Sequence, residues 1–120
     1  MDALEQFLRY SLIGVANTII HAFVMAFAIK RMKSAIAIAN SAAFVTAVTF
    51  SYFANATWTF SVSPSWPTYL LFVIFMGALA YGMGKAGDKH GMHPVVIFVA
   101  FTSLSLAVGF IYSKLVVFGV

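Results

Sequence analysis

The stretch F-S-Y-F-A-N-A-T-W-T-F, Phe50 to Phe60, decides how the chain is read. An apolar segment turns polar and aromatic at its end, where Asn55 and Thr57 stand beside Trp58 and Phe60. Amphipathic rings next to small polar groups mark the place where a hydrophobic helix meets a membrane surface. A weaker copy, F-I-Y-S-K-L-V-V-F, spans Phe110 to Phe118. Setting Phe60 over Phe118 places Tyr52 on Phe110, Asn55 on Ser113, Ala56 on Lys114 and Trp58 on Val116. The chain therefore reads as two similar halves, each ending at a membrane surface.

Composition agrees. Of 120 residues, 62% are apolar and 8% charged. A soluble domain carries about 25% charged residues, so this chain could not cover its own surface with polar groups. The length suits a single domain, residues 1–120. With no cysteine there is no disulfide framework to read. The net charge of +4 reads as basic residues at membrane surfaces, not as a nucleic-acid footprint. Asp2 and Glu5 stand where a signal peptide wants positive charge.

A spanning helix needs about 20 mostly apolar residues. Four segments meet that need, at about 7–29, 35–60, 67–84 and 94–118. Lys30, Arg31 and Lys33 end the first. Pro64 and Pro67 divide the second from the third, because proline cannot continue a helix interior. The polar, glycine-rich run G-K-A-G-D-K-H-G-M-H-P reads as the third connection. The expected fold class is an all-α membrane protein of four transmembrane helices, arranged as two repeated hairpins of one orientation, a parallel pseudo-repeat. One surface would gather Arg9, Asn55, Thr57, Trp58, Trp66, Ser113 and Lys114. The other would gather Lys30, Arg31, Lys33, Lys85, Asp88, Lys89, His90 and His93. Five of the seven Lys and Arg lie near the outer connections and two near the termini. By the positive-inside rule that count places the termini outside.

Polar groups within apolar segments carry the functional argument. Asn17 and His21 share one face of segment one. They lie about 12 Å and about 18 Å beyond Arg9, reaching toward mid-membrane. They read either as interhelical hydrogen-bonding groups or as a polar track for a headgroup. Ala39, Ala43, Ala47 and Ser51 form a small-residue stripe that favours close helix packing, and Ala78, Gly82 and Ala86 form a similar one. Asn40, Thr46, Thr49, Thr102, Ser103 and Ser105 add an amide and hydroxyls. These bond their own helix backbone or line the track. Arg9 and Lys114 either snorkel to lipid phosphates or, with Asn55, hold a phosphate. Arginine offers bidentate hydrogen bonds there and lysine a point charge.

Other chemistry is disfavoured. G-M-G-K-A-G-D-K lacks the Lys-Ser/Thr ending of a P-loop. His90 and His93 are two potential metal ligands without a third, so no metal or other cofactor is expected. The only acids are Asp2, Glu5 and Asp88, all outside the apolar segments. That disfavours a proton antiporter built on an embedded carboxylate. It also disfavours a glycosyltransferase or hydrolase built on paired carboxylates.

The stretches F-L-R-Y-S-L-I-G-V-A-N-T-I-I-H (7–21), A-N-S-A-A-F-V-T-A-V-T-F-S-Y-F-A-N-A-T-W-T-F (39–60), F-M-G-A-L (75–79) and F-T-S-L-S-L-A-V-G-F-I-Y-S-K-L-V-V-F (101–118) together resemble the GtrA family of small four-helix membrane proteins. The Asn-x-x-Trp-x-Phe ending and the R-Y…G…N-T opening are the most specific parts. In detail the chain resembles the members that translocate bactoprenol-linked glucose for O-antigen modification. Both endings depart from the family pattern: Ala56 stands where Arg is common in the first, and Ser113-Lys114-Leu115-Val116-Val117-Phe118 stands where many relatives have an Asn-Arg-x-Trp-x-Phe-like second ending.

The resemblance implies a flippase in the bacterial inner membrane, with cytoplasmic termini, against the charge count. It would move undecaprenyl-phosphate-linked glucose from the cytoplasmic to the periplasmic leaflet, with membrane glycosyltransferases as functional partners. On that expectation Arg9, Lys114 and Asn55 meet the phosphate. Asn17, His21, Asn40 and Thr49 form the polar track, and Tyr52, Trp58 and Trp66 are the interface aromatics. Four helices scarcely enclose a path, so a homo-oligomer in contact with membrane lipids is expected. No residue pattern suits ATP, so movement would follow the gradient of substrate. The alternative is a membrane scaffold that anchors a glycosyltransferase and transports nothing. Such a scaffold would tolerate apolar replacements at Arg9, Asn17 and His21.

Overall fold

The computed structural model describes residues 2–33 and 35–120, without the side chains of Ile36, Ala37, Gly84, Asp88, Pro94 and Phe98. The described residues form four helices: α1 (Ala3–Lys30), α2 (Ile36–Ala54), α3 (Trp66–Lys89) and α4 (Pro94–Tyr112). A π-helical turn extends α2 over Asn55–Thr59, and another extends α4 over Ser113–Val117. Contacts divide the chain into two compact units, Met1–Ser61 and Val62–Val120.

In the first unit α1 packs along α2. The Asp2 side chain caps α1 by accepting from the Glu5 N–H at 2.8 Å, and Glu5 adds negative charge to the first turn, where the helix dipole favours it. The cap explains why α1 begins at Ala3 and not near Phe7. On the α2 side the seam is made of small residues, which let a neighbouring backbone approach closely. Ala39, Ala43, Ala47 and Ser51 are buried, as are Gln6, Tyr10, Ile13 and Ala28 on α1. The stripe in segment two therefore packs as expected. Leu4, Leu8, Leu12, Val15, Ile19, Phe23 and Phe27 lie on α1 and point outward. So many large apolar residues on the outward face reverse the pattern of a water-soluble helix.

In the second unit α3 packs on α4 and on the turn that follows it. Phe72 is buried, and the rings of Phe75 and Tyr112 stack with centroids 4.0 Å apart. His93 caps α4, its Nδ1 accepting from the Val95 N–H at 3.1 Å. Two expectations are corrected here. Helix α3 runs on to Lys89, through residues read as a connection, so only residues 90–93 join it to α4. Gly87 sits inside this helix because Ile97 packs where its Cβ would be. The stripe Ala78, Gly82 and Ala86 does not pack within its unit. All three are exposed, and nothing lies within 4 Å of a Cβ placed on Gly82. The packed face of α3 carries Phe72 and Gly87 in its place.

Superposing Phe60 on Phe118 aligns more than sequence. Ile36 meets Pro94 at the start of α2 and α4, and Ala54 meets Tyr112 at their ends. The π turns coincide residue for residue. Backbones of positive φ coincide as well, Lys33 (53°) with Gly91 (63°) and Ser61 (54°) with Gly119 (65°). Three helical stretches among the described residues are long and apolar enough to cross a membrane: Ala3–Lys30, Trp66–Gly87 and Val95–Val117.

Candidate functional site

The best-built polar cluster lies in the first unit, where α1 meets the end of α2. The π turn is closed by the Phe60 N–H donating to the Asn55 carbonyl at 2.9 Å, five residues back. Such turns are rare and are frequently found at functional sites. A ladder of side chains holds it. Asn55 Nδ2 donates to Ser51 Oγ at 3.3 Å, and Thr59 Oγ1 donates to Asn55 Oδ1 at 2.8 Å. All three residues are buried.

Arg9 is fixed on this turn. Its Nη1 donates to the Trp58 carbonyl at 3.0 Å, one of the oxygens that a helix end leaves without an internal partner. Its guanidinium lies 4.9 Å from the centroid of the Trp58 ring, a cation–π distance. Its Nη2 reaches Glu5 Oε1 at 3.3 Å, an i,i+4 ion pair on α1. The Arg9 side chain is 29% exposed and a guanidinium has five N–H donors. The cluster can still receive an anion.

The other expected site residues divide. Asn55 is 1% exposed and spends its amide on Ser51 and Thr59, so it shapes the turn and offers nothing outward. Tyr52, expected among the surface aromatics, is fully buried in its unit, whereas Trp58 and Trp66 are exposed. The periodicity of α2 puts Tyr52 on the packed face next to Ser51 and Val48. Asn17 and His21 are half-buried on α1, and their side chains form no hydrogen bond among the described residues. Asn40 is exposed on α2, and Thr49 is half-buried. Hydroxyls bond back to their own helix, as at Thr46 to Ala42, Thr57 to Phe53 and Ser105 to Phe101.

In the second unit Lys114 is half-buried on its π turn, which the Phe118 N–H closes onto the Ser113 carbonyl at 2.9 Å. Trp66 leads α3, its ring edge-on to Tyr69 at 5.7 Å. No ladder forms here, because Gly109, Ser113 and Val117 occupy the places of Ser51, Asn55 and Thr59. Ser113 Oγ is buried without a hydrogen-bond partner. Sequence reasoning missed the ladder and Glu5. The i, i+4, i+8 spacing of Ser51, Asn55 and Thr59 was the signal available for the first.

The chain is similar to known proteins. It is 44% identical over 115 residues to the bactoprenol-linked glucose translocase of Shigella phage SfV, covering 96% of each chain. The prophage bactoprenol-linked glucose translocase homolog of Escherichia coli K12 gives the same identity and coverage. The bactoprenol-linked glucose translocase of Salmonella phage P22 is 41% identical, again over 96% of each. No solved structure matches. The family model described as GtrA/DPMS, transmembrane domain, matches residues 9–118. With its apolar helices and their outward-facing large side chains, the chain is an integral membrane protein, and it belongs to the GtrA/DPMS transmembrane-domain family.

Proposed function

We propose that this protein is a flippase that carries undecaprenyl (bactoprenol) phosphate-linked glucose from the cytoplasmic to the periplasmic leaflet, for glucosylation of O-antigen. The observation that carries the reading is the near-complete coverage, 96% of each chain, by relatives named bactoprenol-linked glucose translocase. The Arg9 cluster supports it, since a partly exposed guanidinium at the end of an apolar helix pair suits a lipid-borne phosphate. The lipid tail already dissolves in the bilayer, and the charged headgroup is what resists transfer. A polar track open sideways to lipid lets the head slide while the tail stays outside.

Arg9 binds the phosphate on the first unit, and Lys114 presents its charge from the π turn of the second. Asn17 and His21, with Asn40 and Thr49, hydrogen-bond the moving head. Trp58 on the first unit and Trp66 on the second serve as membrane-interface aromatics. Asn55 acts behind them, by holding the turn that anchors Arg9. The two units are copies of one hairpin, and α2 with its turn is a fourth span. Together they form a single domain in the inner membrane with cytoplasmic termini. The protein works as a homo-oligomer and catalyses no covalent step. It runs down the gradient kept by a glycosyltransferase that makes the lipid inside and another that consumes it outside.

The test is complementation. A bacterial host is used that has both glycosyltransferases but no translocase. Expression of this chain is expected to restore glucosylated O-antigen on the cell surface. Unmodified O-antigen, with the protein present in the membrane and the glucosyl lipid accumulating, would contradict the proposal.

A further inference from the structure

We infer that Trp58 is the sugar platform of the first unit, packing the pyranose ring of the headgroup while Arg9 holds its phosphate. The inference rests on the transport reading above and names the residue that would make it selective for a glycosylated lipid. Three observations carry it. Arg9 is clamped to Trp58 twice, through the carbonyl at 3.0 Å and over the ring at 4.9 Å, so cation and indole form one rigid pair. Trp58 is 43% exposed, so the cation does not cover all of its surface. Arg9 spends one donor on Trp58 and one on Glu5, and an arriving phosphate can take others or displace the Glu5 carboxylate.

The chemistry of the ligand does the rest. In a polyprenyl-phosphoryl hexose a single oxygen separates phosphorus from the anomeric carbon. A phosphate on Arg9 therefore brings the sugar within reach of the neighbouring indole. A pyranose whose hydroxyls are equatorial presents a face of C–H bonds. That face packs on the electron-rich face of an aromatic ring, while the hydroxyls stay free for water and hydrogen bonds. Trp66 lacks these features. It is 75% exposed, its ring meets Tyr69 edge-on, and its position at the head of α3 suits a membrane-surface anchor.

Two measurements test the assignment. The protein has two tryptophans, so Trp66→Phe leaves Trp58 as the only indole to emit. In detergent micelles, polyprenyl-phosphoryl-glucose is expected to change Trp58 emission saturably, and polyprenyl phosphate without sugar is expected to change it far less. In proteoliposomes, Trp58→Leu is expected to slow exchange of the glucosyl lipid about tenfold, with Trp58→Tyr restoring most of the rate. Equal emission changes with both lipids, or wild-type exchange by Trp58→Leu, would overturn the platform. A Trp58→Leu protein that no longer folds is replaced by the emission measurement, which uses the native residue. Sugar-dependent emission in a protein that exchanges no lipid would keep the platform and sink the transport reading.

Discussion

At the scale of single residues, Asn55 shows how a buried amide shapes a site without touching a ligand. It accepts from Thr59 and donates to Ser51, and all three lie out of contact with the surroundings. Asn55→Ala leaves two buried hydroxyls without these partners and is expected to cost about 1–3 kcal/mol. A lowered midpoint of thermal unfolding in detergent would register it. Ser113 is the contrasting case, because its hydroxyl is buried and already unpartnered. Ser113→Ala is expected to leave the midpoint unchanged or raise it, and a fall would show that the hydroxyl has a partner. Ser61 has a left-handed backbone where the second unit uses Gly119. Ser61→Gly is expected to stabilise by about 1 kcal/mol, since glycine adopts that conformation without steric cost.

At the scale of elements, much was legible and some was not. The helices could be read because apolar runs of spanning length leave few alternatives. The α1–α2 seam could be read because Ala39, Ala43, Ala47 and Ser51 recur every four residues. The same spacing misled at Ala78, Gly82 and Ala86, which face outward. Small residues permit close approach, but they do not say which neighbour approaches. Ala43→Leu is expected to overpack the first unit and cost about 1–3 kcal/mol. Gly82→Ala, with open space around it, is expected to be neutral or stabilising. Equal losses in thermal unfolding from both would contradict this division. The π turns were not legible, because one extra residue in a helical turn leaves no periodic trace over five residues. The partnership of Arg9 with the Trp58 carbonyl depends on that turn and was hidden with it. That Arg9 and Trp58 lie at one end of the α1–α2 hairpin was readable from the connections alone. The continuation of α3 to Lys89 was hidden by its glycines, which read as breakers until the packing of Ile97 on Gly87 is known.

At the scale of the whole molecule, the proposed orientation and the charge count pull apart. Lys30, Arg31, Lys33, Lys85 and Lys89 cluster at the ends of α1 and α3. By charge alone those ends would be cytoplasmic. The proposed function places them in the periplasm, with both termini inside. The absence of native cysteine makes the question direct. Met32→Cys and Met92→Cys are expected to react with a membrane-impermeant thiol reagent added to intact cells, and Ala3→Cys only after lysis. The opposite pattern would invert the protein and reverse the direction assigned to transport.

The central claim is that Arg9, set on the first π turn, takes the phosphate of a lipid-linked sugar across the membrane. Its most direct test is reconstitution of the wild type and of Arg9→Ala, at equal density, into liposomes containing labelled polyprenyl-phosphoryl-glucose, with a reagent that reaches only the outer leaflet. The account predicts protein-dependent exposure of the inner-leaflet pool, reduced at least about tenfold by Arg9→Ala and partly kept by Arg9→Lys. Exchange by Arg9→Ala at the wild-type rate would contradict it.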